Sequence, residues 1–237
     1  MRFVIPLVAT FLGATCACAW GCARGSRRAV AAPAPDTTPD TIGESRPQRR
    51  EAIAARCRTL CVLAPNYSGS DVPAPPFDLG GPPGVPVSLE KLRGQVIILH
   101  FWSTIAAAAV APELPEIAKL ASNLRTRRDV VVVSVATDDH PENAQRLARV
   151  VLGDVAAQAY PLSFDIGGKL AAQYGTIRYP ETWLIDRSGI LRARFDGRRA
   201  WGSSEVLALV DDLRANAFCP VEINEGITSG PGEEYCR

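Results

Sequence analysis

At 237 residues and 47% hydrophobic content, the chain is long enough for one well-buried domain with extensions at its ends. Its 26 basic and 25 acidic side chains leave a net charge of +1, which excludes the basic excess of a dedicated nucleic-acid binder. Seven cysteines and two histidines limit the nucleophiles and metal ligands available.

Residues Met1 to Ala19 read as an export signal: Arg2 precedes an apolar core from Phe3 to Ala14, and Ala17-Cys18-Ala19 forms a small-x-small cleavage site. A retained membrane tether is one alternative, although the apolar run is short of the roughly 20 residues that span a bilayer. Gly21-Cys22 offers another, a lipoprotein acceptor, with Ala19-Trp20 a poor lead-in. Residues 20–50 carry Pro33, Pro35, Pro39 and Pro47 among Ala, Thr, Asp and Arg, with no hydrophobic periodicity, and read as disordered linker. Periodicity returns in the segment 51–65, where Ile53, Cys57, Leu60 and Cys61 share one face of a helix predicted over Glu51 to Leu63, ended by Pro65.

The main domain, residues 75–217, opens with the loop Pro75-Pro76-Phe77-Asp78-Leu79. Val96 to Phe101 is a continuous apolar run, the pattern of a strand buried on both faces. It breaks at Trp102-Ser103-Thr104 and passes through four alanines to Pro112, placed in the first turn of a helix running to about Asn123, with Leu114, Ile117, Ala118 and Ala121 toward the sheet. A strand that feeds a helix through a short loop puts that loop at the carboxyl edge of a sheet, where α/β proteins keep their chemistry. Val130 to Ala136 is a second buried strand. Asp139 or His140 then caps a helix over Glu142 to Val151, with Pro141 in its first turn. Leu162 to Phe164 reads as a short strand, Gly168 to Tyr174 as a short helix, and Thr182–Asp186 with Ile190–Phe195 as an antiparallel pair. Ser203-Ser204-Glu205 starts the last helix, to about Ala217, before a tail over 218–237 rich in Gly, Pro and Glu.

Phe101-Trp102-Ser103-Thr104-Ile105, with Glu113-Leu114-Pro115-Glu116 beyond it, resembles the active-site segment of exported thioredoxin-like proteins of the TlpA, ResA and DsbE type in the AhpC/TSA redoxin superfamily. Gly94-Gln95-Val96-Ile97-Ile98 resembles the entry to that family's central strand, and Val85 to Ser88 its small N-terminal hairpin. Tyr179-Pro180-Glu181-Thr182-Trp183-Leu184-Ile185-Asp186 is similar to the segment that carries the family's cis-proline. The resemblance implies an α/β thioredoxin-like fold, a central mixed sheet flanked by helices in the order β-α-β-α-β-β-α, with the extra segments at both ends. It also implies a cis bond between Tyr179 and Pro180 and a peptide-binding groove formed by Trp102, Ser103, Thr104, Tyr179, Pro180 and Glu181.

The family's two cysteines do not occur here. Aligned from Phe101-Trp102, their positions fall on Ala106 and Ala109, and the segment up to Glu113 is one residue longer than usual. No cysteine lies between Cys61 and Cys219, and thiol–disulfide exchange requires a thiolate that alanine cannot replace. The Thr-x-x-Cys of related peroxiredoxins would run from Thr104 to Ala107, again alanine. His100 reads as a hydrogen-bonded core residue and His140 as a solvated one, so no catalytic residue, cofactor or metal is expected.

Cys57, Cys61, Cys219 and Cys236 remain outside the signal and its flank; in an oxidising compartment an even number implies disulfides. Residues four apart on a helix hold their β-carbons roughly 5–6 Å apart against about 3.8 Å in a disulfide, which favours crosslinks from the helix to the tail over Cys57–Cys61. The connectivity stays open at this point. Cys57 and Cys61 also match the Cys-x-x-x-Cys of copper chaperones on the same fold, but those lie in the active-site loop, and these lie far upstream of it. The leading expectation is an exported, redox-inert module of the periplasm or cell envelope, holding an envelope protein or an extended peptide beside Pro180. The alternative is a thiol–disulfide oxidoreductase acting through Cys57/Cys61 or Cys219/Cys236.

Overall fold

The computed structural model describes residues 45–79 and 87–236. The export signal, the Cys22 acceptor, the linker up to residue 44 and Val85 lie outside the described residues.

The first helix, α1, is Arg46–Leu63. It opens five residues before the expected Glu51, inside the stretch read as linker. Its first turn is polar, and capping rather than hydrophobic periodicity starts it: Ser45 donates to Gln48 Oε1 from both its backbone N (2.9 Å) and its Oγ (3.0 Å), and Pro47 occupies the first turn. Ala64, at φ 47°, closes the helix by donating its N–H to Leu60 and Cys61 carbonyls. Ala54, Cys57 and Leu60 are the buried face.

The strands β1 (Tyr67–Ser68), β2 (Asp78–Leu79) and β3 (Val87–Ser88) precede the central strand β4, Val96–Trp102, all seven residues of which are buried. After β4 come a 3-10 turn at Thr104–Ala106, the short helix α2 (Ala107–Val110) and α3 (Leu114–Leu124). Pro115, not Pro112, sits in the first turn of α3. Pro112 has no N–H to extend α2, and the Glu113 N–H instead closes back on the Val110 carbonyl at 2.9 Å. β5 (Val130–Ala136) leads through His140 into α4 (Pro141–Leu152). A further helix, α5 (Asp154–Ala159), is absent from the sequence reading; Gly153 at φ +80° separates it from α4. β6 (Leu162–Phe164), α6 (Lys169–Gln173), β7 (Glu181–Ile185), β8 (Leu191–Asp196) and α7 (Ser204–Arg214) complete the domain.

The tail is ordered as a hairpin, β9 (Glu222–Asn224) and β10 (Ile227–Ser229), followed by a 3-10 turn at Glu233–Cys236. It extends the sheet, whose order is β10-β9-β1-β8-β7-β4-β5-β6. β4, β5 and β6 run parallel, and β7 pairs antiparallel to β4 with Phe101 opposite Glu181. Because successive residues of β4 point to opposite faces, Val96, Ile98 and Trp102 pack with α3 and α7, and Ile97, Leu99 and Phe101 pack with Tyr174 and Trp183.

A third, small cluster of Leu60, Val221 and Ile223 joins α1 to the tail. Two disulfides lock it: Cys57–Cys219 and Cys61–Cys236, spanning 162 and 175 residues with Cα–Cα distances of 4.9 and 5.2 Å. The helix-to-tail connectivity is therefore the one adopted. Neither Cys57–Cys61 nor Cys219–Cys236 is bonded, and the four sulfurs are unavailable as copper ligands.

Candidate functional site

The parallel run of β4, β5 and β6 and the reversed β7 bring four connections to one edge of the sheet: those after Trp102, Ala136 and Phe164, and the one before Glu181. Ser103 ends β4 and caps the turn, its Oγ accepting from the Ile105 N–H at 3.4 Å. From the neighbouring connection, the Asp138 carboxylate accepts the Thr104 N–H (3.0 and 3.2 Å) and the Thr104 hydroxyl. Thr137 N–H closes the other side on the Trp102 carbonyl at 2.9 Å. The loop is thus built and pinned, with Val110 fully buried as its anchor.

What it presents is methyl groups. Ala106, Ala107 and Ala109 are half-buried and Ala108 is exposed, so the two expected cysteine positions carry no group able to attack, ligate or transfer a proton. The described residues hold no group of three or more His, Cys, Asp or Glu placed to bind a metal.

The six residues assigned to a groove separate. Trp102 is fully buried, its Nε1 donating to Ser134 Oγ (2.8 Å), which donates on to the Tyr160 hydroxyl (2.8 Å). Glu181 is also buried; its Oε1 accepts from the Thr176 hydroxyl and from Trp183 Nε1 (2.8 Å), and burial raises its pKa. Both are interior because β4 and β7 are central strands covered on both faces. Ser103 and Pro180 are buried too, leaving Thr104 and Tyr179 partly exposed. The Tyr179–Pro180 bond is cis, as the resemblance implies.

Three residues that the sequence reading passed over stand out at this edge: Ile105 is 89% exposed, Ile177 86% and Ile166 59%. They lie in the connections around β4, β7 and β6. Tyr179 links two of these connections, since a β-carbon on Gly168 would meet its hydroxyl at 4.0 Å. Hydropathy alone places isoleucine inside; only their position in loops beyond strand ends could have marked them.

Beneath the loop lies Glu113, 1% exposed. Its Oε1 accepts from Trp201 Nε1, and its Oε2 is buried without a partner among the described residues. Burial pushes its pKa up to about 7, against the Trp201 hydrogen bond and the charges of Arg199 and Arg198. His100 is fully buried in β4, with Nδ1 2.9 Å from the Thr182 hydroxyl, and burial lowers its pKa to about 3. A neutral imidazole with that partner is a core group, not a base serving the loop.

The four bonded cysteines sit elsewhere. Three strands, β1, β8 and β7, separate β9 from β4, roughly 19 Å in the sheet at about 4.8 Å per strand. Cys57 is fully buried.

Residues 71–194, just over half of the chain, match the model of the AhpC/TSA family. The chain belongs to the AhpC/TSA family. Within this AhpC/TSA chain, 119 residues are 27% identical to the thioredoxin-like protein YneN of Bacillus subtilis, an alignment covering 50% of this chain and 66% of YneN. A crystal structure from Chlorobium tepidum, described as a thiol:disulfide interchange protein DsbE, superposes with a TM-score of 0.50 at 24% identity, over 60% of this chain and 99% of that one. That likeness establishes the thioredoxin-like fold. α1, α7 and the tail hairpin fall outside the family match.

Proposed function

We propose that this AhpC/TSA chain is a redox-inert, thioredoxin-like binding module of the cell envelope that holds a protein or an extended peptide at the carboxyl edge of its sheet. One observation carries the reading: the loop that houses a dithiol in the resembled family is here fully built, pinned by Asp138, and faced with alanine between exposed isoleucines. Exposed apolar side chains gathered at one edge favour association over catalysis. Export is supported by the N-terminal signal pattern and by two disulfides, which persist in oxidising compartments. The interchange activity in the DsbE name belongs to that protein; the reading for this chain is that fold and surface were kept after the dithiol was lost.

The test is a pair of assays on the disulfide-intact protein. Insulin reduction should not exceed the enzyme-free rate, and capture of partners from envelope extract should fall when Ile105→Asp and Ile177→Asp are combined. Turnover that survives replacement of all four bonded cysteines would overturn the reading.

A further inference from the structure

A cavity lined by the described residues stands apart from the alanine loop. It lies between the sheet, α1, α7 and the tail and has a volume of about 370 Å³, within the roughly 300–1,000 Å³ of small-molecule sites. Leu60 of α1, Leu209 and Leu213 of α7, Leu184 of β7, and Phe218 and Val221 of the tail make it apolar. Apart from Leu184, all of these fall outside the family match at 71–194, whereas Arg192 lies within it.

Two guanidinium groups, Arg56 and Arg192, line the same space. Arg56 meets Asp212 through Nε alone, at 3.2 Å, and the described residues offer its terminal nitrogens no acceptor. Arg192 likewise uses Nε for Asp186, at 2.7 Å. Its Nη1 reaches only the Ser70 and Gly69 carbonyls at 3.4 and 3.5 Å, and no acceptor among the described residues meets Nη2. Its guanidinium carbon lies 3.9 Å from the centre of the Phe218 ring, so charge and apolar wall adjoin. Terminal guanidinium nitrogens present the paired donors that a carboxylate takes two at a time. Of the acidic side chains lining the cavity, Asp212 is half-buried and already paired, and Glu222 is exposed.

We propose that this cavity is a binding site for a medium-chain aliphatic carboxylate, its hydrocarbon among the leucines and Phe218 and its head on Arg56 and Arg192. An apolar floor discriminates poorly among hydrocarbons, whereas the two arginines select the charge of the head.

Calorimetric titration of the full, disulfide-intact chain with decanoate, decanol and decylammonium, each below its micelle concentration, tests this. Decanoate should bind saturably at one per chain, decanol at least tenfold more weakly, and decylammonium not at all. Arg56→Gln, which leaves Asp212 unpaired at the mouth, should weaken decanoate at least tenfold. Leu209→Trp, which fills the cavity, should abolish binding; should that variant not fold, Ala217→Phe fills the same space from the tail side. No saturable uptake by the native chain, equal binding of decanol and decanoate, or native-like binding by a folded cavity-filling variant would each overturn the proposal.

Discussion

Replacing Glu113 by Gln should stabilise the protein at alkaline pH and have little effect in acid. The carboxyl is 1% exposed, one of its oxygens has no partner among the described residues, and its pKa stands near 7 against an ordinary 4.5. A folded-state pKa above the unfolded one means that the native chain holds the proton longer. The stability this contributes is fully present below pH 4.5, falls as pH rises from 4.5 to 7, and is gone above that. The rise from 4.5 to about 7, at about 1.4 kcal/mol per pH unit, makes the loss about 3.5 kcal/mol. Glutamine keeps an oxygen for the Trp201 Nε1 and cannot ionise, so it escapes that loss, while its amide needs a partner and returns about 1 kcal/mol. Urea unfolding followed by tryptophan fluorescence from pH 4 to 8.5, with both disulfides intact, measures the difference. Every other titrating group is shared and cancels. The variant should be about 2.5 kcal/mol more stable at pH 8 and equal or slightly weaker at pH 4. Parallel stability curves for the two proteins would refute the burial argument.

Cys61→Ser with Cys236→Ser should cost about 3 kcal/mol of unfolding free energy in denaturant: with Cys57–Cys219 intact, the second bridge closes a circuit of about 21 residues, four steps along α1 and seventeen along the tail. Reduction of both bridges should raise amide exchange over 46–63 and 217–236 while 96–102 in β4 stays protected, as hydrogen-exchange mass spectrometry would record. Trp102→Phe removes the Nε1 bond to Ser134 and should lower stability by about 1–3 kcal/mol by chemical denaturation, whereas Ile177→Ser, at an exposed position, should change it by less than about 0.5 kcal/mol. Ala106→Cys with Ala109→Cys should raise insulin reduction above the level of the native chain; an inactive, folded double variant would show that the extra residue before Glu113 has reset the loop.

The central sheet was legible because its signals are local and strong. Val96 to Phe101 and Val130 to Ala136 are apolar, largely β-branched runs interrupted only by His100 and Ser134, and the structure buries all of their residues but Val131. The start of α1 was not, because its first turn is Arg-Pro-Gln-Arg-Arg and only the pair Ser45 and Gln48 announces a cap. The tail hairpin was missed for a related reason. Its two-residue turn is Glu225-Gly226, both at positive φ (47° and 83°), and glutamate is not among the residues that usually mark such turns. At the site, the absence of any cysteine between Cys61 and Cys219 was plain from the residues, but which side chains face out was not. Trp102 looked like a groove residue and proved interior, since a strand buried on both faces hides every position. Nothing in the residues marked Ile105 and Ile177 as exposed, since strand pairing, invisible to hydropathy, sets where loops emerge.

The crosslinks between α1 and the tail also set an order of events. Cys57 cannot meet its partner until residue 219 has been made, by which point every strand from β1 to β8 has already been synthesised. Both crosslinks therefore close only after the whole domain has been synthesised. Once closed, the chain between Cys57 and Cys219 is a ring. A protease that cuts an exposed connection within it, such as the one at Ile177-Arg178, leaves two polypeptides that travel as one until they meet a reductant.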